Sequence, residues 1–294
     1  MVDSHQDQAA GLRMLAGGQA VNVVALTGGK GGVGKTNLAI NLGTALRELN
    51  REVMILDADL GLANVDVQLG LRARFNLEHV IDGTCRLEDI IVRAASGLKV
   101  VPASSGNLTM ASLGQVGQVG LINAFSELLE PLDVLLVDTA AGLSESVVTF
   151  SEAANRIIVV VVDEPASLTD AYGLIKALSR RQADIQIEVI ANMTESHGEG
   201  QALFEKLARV THRFLGINPS YLGSVPYDQY VRRAIQRQAP VIEEFPGSGA
   251  ARAIKKIAAS VDSWSPPINA RGGVQFFLER TLASNVQHAR ESRL

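Results

Sequence analysis

The chain reads as an α/β protein, a doubly wound, mostly parallel sheet with helices on both faces. Three observations lead there. Short runs such as Val21–Leu26, Val53–Leu56, Val134–Val137 and Ile157–Val162 are almost continuously apolar, as strands buried on both faces are. Stretches of helical length lie between several of them. The first run passes through a glycine-rich turn directly into a helix, and the three later runs each end in aspartate, Asp57, Asp138 and Asp163. In such a sheet ligands bind beyond the carboxyl ends of the strands, so the chemistry is expected at these turns.

The strand Val21–Leu26 leads to Gly28-Gly29-Lys30-Gly31-Gly32-Val33-Gly34-Lys35-Thr36, and then to a helix, Asn37–Leu46. Strand, glycine loop and helix form the context of a phosphate-binding loop. Its glycines turn the backbone so that several N–H groups point inward, and the helix start adds partial positive charge. Gly29, Gly31, Gly32, Val33, Gly34 and Asn37 are expected to cradle the phosphates of ATP. Lys35 is expected to reach the β- and γ-phosphates, and the Thr36 hydroxyl to sit on Mg²⁺.

Lys30 is a second lysine that an ordinary phosphate loop does not need. Gly-Lys-Gly-Gly-x-Gly-Lys-Thr is the deviant form, and it resembles the MinD/ParA branch of the phosphate-loop NTPases. In that branch the early lysine crosses a dimer interface to the partner's nucleotide. The resemblance implies that Lys30 acts between subunits, with a catalytic role beside Lys35, and that ATP joins two copies of the chain.

Composition bounds the alternatives. With 294 residues, 47% hydrophobic and 20% charged, the chain can form one large α/β domain. A net charge of −4 argues against a broad nucleic-acid surface. The one cysteine, Cys85, allows neither an internal disulfide nor a cysteine pair, which fits a reducing compartment. The five histidines show no metal-ligand spacing. No signal peptide or membrane span is visible, so a cytoplasmic protein with at most peripheral membrane contact is expected.

Residues 1–20 read as a flexible arm. Leu12 and Leu15 would share one face of a short helix. The arm contains Asp7-Gln8-Ala9-x-x-Leu12-Arg13, which resembles the activator motif of MinD-like flagellar-number regulators of the FlhG/FleN type. There the motif docks on the GTPase FlhF, and the resemblance implies that Asp7, Gln8, Ala9, Leu12 and Arg13 bind such a partner.

The second strand, Glu52–Leu56, runs into Asp57-Ala58-Asp59, which resembles the family's switch I. By that resemblance Asp59 orients the attacking water, and Asp57 supports Mg²⁺ and the loop. Asp66 is read as a helix cap. Residues 72–95 alternate short turns with no evident chemistry. Leu98–Pro102 reads as a third strand, 103–106 as a loop and Leu121–Leu129 as a helix. Asp133–Val137 runs into Asp138, the Walker B pattern, so Asp138 is expected to hold Mg²⁺. Gly142 resembles the switch II glycine whose N–H senses the γ-phosphate.

Arg156–Asp163 is a central strand. Ser167 could cap the helix Leu168–Leu178, whose Asp170, Tyr172 and Lys176 border the dimer seam by resemblance. Strands Ile185–Ile190 and Tyr221–Val225 follow. By resemblance Asn192 reads the adenine edge, while Pro226 and Asp228 line the base or ribose; Asn192 alone could equally start a turn. A helix over 250–261 closes an ATPase domain of 21–262, and 263–273 is a linker.

In 274–294, Val274, Phe277, Leu278 and Leu282 fall on one helical stripe widened by Phe276. From Ser263 onward four arginines and two glutamates leave a charge of +2. This fits a reversible membrane anchor, and it resembles the membrane-targeting helix of the MinD family. The same stripe could instead dock on the protein's own core. The resemblance as a whole implies an ATP-dependent dimerising ATPase that regulates flagellar number and placement. It would act on an FlhF-type GTPase, switch-ring proteins and a flagellar transcription regulator, at an anionic inner-membrane surface. The alternative is a chromosome- or plasmid-partition or division-site ATPase of the same family.

Overall fold

The computed structural model describes residues 21–59, 64–102, 132–182 and 185–265. The arm, the helix expected over 121–129 and the terminal apolar stripe lie outside the described residues. Eight strands form one sheet: β1 (Asn22–Thr27), β2 (Val53–Ala58), β3 (Val92–Arg93), β4 (Lys99–Val101), β5 (Val134–Thr139), β6 (Arg156–Val161), β7 (Ile187–Thr194) and β8 (Ser220–Pro226). Their order is β3-β4-β2-β5-β1-β6-β7-β8. All neighbours are parallel except β3 and β4.

The strands are apolar on both faces because both faces are covered. One side carries α1 (Lys35–Glu48), α8 (Gln229–Gln236), α9 (Val241–Glu244) and α10 (Gly249–Asp262). There Leu38, Leu42 and Leu46 join Val24, Leu26 and Ile254 in one cluster. The other side carries α5 (Glu145–Ala153), α6 (Pro165–Arg181) and α7 (His197–Leu215). Leu174, Leu178 and Leu203 pack there on Val159 and Val189. Alternate residues of β1 supply the two faces, since successive strand side chains point to opposite sides: Val23 and Ala25 belong to the face opposite Val24 and Leu26.

The region 72–95 is more ordered than its sequence suggested. After α2 (Val65–Gln68) come α3 (Leu77–Ile81), α4 (Leu87–Ile90) and the antiparallel edge strand β3. These helices are four or five residues long, too short to show a helical period. Two further expectations are corrected, for Ser167 and Asp66, and one residue of the expected linker makes a contact of its own. Helix α6 begins at Pro165, and the Ser167 hydroxyl accepts the Val162 N–H at 3.1 Å instead of capping the helix. Among the described residues Asp66 accepts from its neighbour Val67 and does not cap the helix. Trp264, placed in the linker, packs under the Arg156 guanidinium 4.5 Å from the ring centre.

Candidate nucleotide-binding site

The site is built where the sheet order reverses. β1 lies between β5 and β6, and the glycine loop leaves its carboxyl end. On the neighbouring strands β2 and β5, Asp57 is paired in register with Asp138, so both carboxylates stand side by side at the strand ends. The loop needs glycine for two separate reasons. Gly32 and Gly34 take φ of 80° and 90°, the left-handed region. Gly29 has no room for a side chain, since a Cβ there would meet the Asp170 backbone at 2.3 Å. Gly34 is the N-cap of α1 and no side chain caps that helix, which leaves its first amides facing the loop.

Lys35 is buried to 8% exposure, and burial holds its ammonium below the usual lysine range against the pull of Asp138 and Asp59. Asp138 is buried at the end of β5. Burial, with the Asp57 charge beside it, pushes its carboxyl up to about 7, although the Thr36 hydroxyl donates to it. Its Oδ1 is buried without a hydrogen-bond partner. An orphaned buried oxygen is costly unless something occupies it. A hydroxyl beside a carboxylate with a vacant oxygen is the donor pair that Mg²⁺ takes, with one or two protein oxygens and the rest from phosphate and water. Among the described residues no three His, Cys, Asp or Glu side chains converge on a metal, and Mg²⁺ of this kind does not need them.

Asp57 does different work. One oxygen accepts the Asp59 N–H at 3.1 Å; the other accepts Asn64 and Val65 at 3.0 and 3.2 Å. It is therefore Asp57, not Asp66, that ties down the start of α2. Burial still raises its carboxyl to about 6 because three amides only partly offset the lost hydration. Asp59 sits at the mouth of this loop, near enough to act on Lys35.

Gly142, at φ 97°, donates its N–H to the Gly28 carbonyl at 3.1 Å, so the turn after β5 is latched to the phosphate loop. The Asn192 amide donates to the Val33 carbonyl at 2.8 Å, joining β7 to the same loop. Pro226 ends β8, two residues before Asp228. Asp228 accepts the Tyr230 N–H at 2.9 Å and the Ala250 N–H at 3.2 Å, so it caps α8 and binds the start of α10. Lys30 ion-pairs with Glu164 of its own chain. The sequence offered no sign of Glu164, because nothing in the motif specifies what faces its early lysine. The arm residues Asp7 to Arg13 and the stripe Val274 to Leu282 lie outside the described residues.

A parallel sheet with a glycine loop after its central strand, a buried lysine, and a hydroxyl–carboxylate pair defines a phosphate-loop nucleotide-binding protein. A family model described as ParA, NUBPL iron-transfer P-loop NTPase, matches residues 19–262, and the chain belongs to that family of ATPases. The antiactivator FleN of Pseudomonas aeruginosa is 50% identical over 262 residues, 89% of this chain and 94% of that one. The flagellum site-determining protein YlxH of Helicobacter pylori is 36% identical over 120 residues, 41% of each chain. Among solved structures, the septum site-determining protein MinD of Pyrococcus horikoshii with Mg-ADP superposes at a TM-score of 0.66 with 25% identity, covering 83% of this chain and 96% of that one. The chain carries one cysteine, Cys85.

Proposed function

We propose that the chain is a slow, ATP-driven dimerising switch that sets flagellar number and placement. The observation that carries this is the 50% identity with an antiactivator over nearly the whole of both chains, on a core with the deviant loop. The flagellar name of a second relative supports it.

In this reading the loop amides and Lys35 bind the β- and γ-phosphates, and Thr36 and Asp138 would hold Mg²⁺. That ion supplies charge neutralisation on the phosphate oxygens. Asp57 fixes the switch I loop so that Asp59 can orient the attacking water. Asn192 and Pro226 stand on the adenine side, with Asp228 holding that wall in place. Lys30 leaves Glu164 and reaches the nucleotide of a second copy. Asp138 must be ionised to serve; burial disfavours that form, and a bound cation would favour it.

The partners belong to the same proposal: an FlhF-type GTPase for the arm, switch-ring proteins and a flagellar transcription regulator for the dimer. The apolar stripe of 274–294 would hold the ATP-bound dimer peripherally at the inner membrane, from an otherwise cytoplasmic pool. Two weak anchors on one dimer raise avidity well above either alone. No helix among the described residues is long and apolar enough to cross a membrane.

Light scattering and liposome sedimentation with ATP and with ADP test the reading. Asp59→Ala should trap an ATP-bound dimer that pellets with anionic vesicles. Truncation after Ser263 should abolish pelleting and leave the dimer. A chain that stays monomeric in ATP sinks the switch; a dimer that ignores lipid removes the membrane step.

A further inference from the structure

A cavity of about 630 Å³ opens along β8, the last strand of the described sheet, with α7 on one side and α10 on the other. Its volume lies within the range of ligand pockets, roughly 300–1,000 Å³. No residue of the phosphate loop lines it, and Pro226, on the adenine side in the proposed function, stands at its border.

Its charge is one-sided. Arg252 and Lys256 of α10 line it, and no Asp or Glu does. Arg252 spends one N–H on the Gly247 carbonyl and keeps the rest of its fork. Lys255 is paired with Glu48 at 2.7 Å, whereas Lys256, one residue on, has no carboxylate partner among the described residues. Thr194 adds a second sign. It is 2% exposed, lines the cavity, and its hydroxyl has no hydrogen-bond partner. Tyr221 and Ile257 supply apolar wall.

A cavity on an edge strand could also admit an extended peptide as a ninth strand. The pairing of β8 argues against that. Its register passes from Val189–Tyr221 to Ile190–Gly223, so Leu222 is an extra, bulged residue. Bulges on edges interrupt the row of backbone groups that a new strand would need. The basic charge of 263–294 likewise disfavours that segment as an occupant of a basic cavity.

We infer that this cavity binds a small organic anion, a phosphate ester or a carboxylate carried on a ring or other apolar body. The anion faces Arg252 and Lys256, and the body lies against Tyr221 and Ile257. The assignment is independent of the flagellar reading.

Titration calorimetry on the full chain, saturated with Mg-ADP to occupy the phosphate loop, tests it. The probes are 1-naphthyl phosphate, 1-naphthoate and neutral 1-naphthol. At least one of the two anions should bind once per chain with a Kd below ~1 mM, and which one does identifies the headgroup. 1-Naphthol should bind about tenfold more weakly or not at all. Lys256→Gln, at an exposed position, and Ala253→Trp, which fills the space, should each weaken the anion about tenfold, with circular dichroism and Mg-ADP affinity unchanged. The inference is overturned if neither anion binds, if 1-naphthol binds as well, or if binding survives both substitutions. It is equally overturned if an extended acidic octapeptide binds and both naphthyl anions do not.

Discussion

The residues that matter most at this site are those in which the fold tolerates an unfavourable state. Asp57 and Asp138 ionise near 6 and 7 in the folded chain, against 3.8 for a free aspartate. Between about pH 4 and 7 the native protein therefore binds more protons than the unfolded one, and its stability falls as pH rises through that window. With chelator present, the melting temperature should be lower at pH 8 than at pH 5.5. Asp138→Asn should remove most of that loss, stabilise the metal-free protein at pH 8, and abolish Mg²⁺-dependent ATP hydrolysis. A flat stability profile would mean that the carboxylates are hydrated or paired in a way the geometry does not show. Gly29 is a second such residue. Gly29→Ala would drive a methyl group into the Asp170 backbone, 2.3 Å from its ideal position. Overpacking of this kind costs about 1–3 kcal/mol. Chemical denaturation should register it, together with loss of nucleotide binding as the loop shifts.

At the scale of elements, the site is held by side chains that cap one segment from another. Asp57 reaches from β2 to the start of α2. Asp228 reaches from the end of β8 to both α8 and α10. Asp228→Ala removes the cap of α8 and the acceptor of the Ala250 N–H, while Ser248 still accepts from Ala251 at the start of α10; a lost cap costs about 0.5–2 kcal/mol. We expect a lower denaturation midpoint with unchanged slope, and weaker ATP binding as the Pro226 wall loosens. Asp228→Asn keeps an acceptor oxygen and should recover most of the stability. Helix α1 is the counterexample: its N-terminus has no side-chain cap, and its first turn is left to the phosphate site. Asn192 links the two kinds of element by holding the Val33 carbonyl from β7. Asn192→Ala would remove that tie and should raise the Kd for ADP more than it lowers the melting temperature.

For the whole molecule, the pairing of Lys30 with Glu164 bears on the proposed dimer, in which Lys30 must leave Glu164 to reach the second copy. The pair is exposed, with side-chain exposures of 38% and 54%, so it is worth no more than about 1 kcal/mol. It is therefore a loose tether rather than a lock. Glu164→Gln should lower the ATP concentration needed for dimerisation by at most about fivefold, as read by light scattering. Lys30→Ala should bind ATP and stay monomeric. A dimer formed by Lys30→Ala as readily as by the unaltered chain would place the intersubunit contact elsewhere.

The parts of this architecture legible in the sequence are those whose chemistry is contiguous. The glycine loop, its two lysines and the strands ending in Asp57 and Asp138 each occupy one short stretch, where spacing and burial pattern carry the information. The alternation of apolar runs with helical stretches is likewise local, and it dictates a parallel sheet because both faces of each strand are apolar. Contacts between distant positions were not legible. Lys30 with Glu164, Asn192 with Val33, and Asp228 with Ala250 are joined only once the strand order is set, and no periodicity reports that order. The cap of α2 shows the same limit, for a nearby acidic residue in the sequence is Asp66 while the amides point at Asp57. The cavity beside β8 belongs wholly to the tertiary structure, since its walls come from α7, β8 and α10, which only packing brings to one edge. A sequence states which groups a chain carries and which of them share a turn or a strand; the long-range packing of buried surface decides which of them face each other.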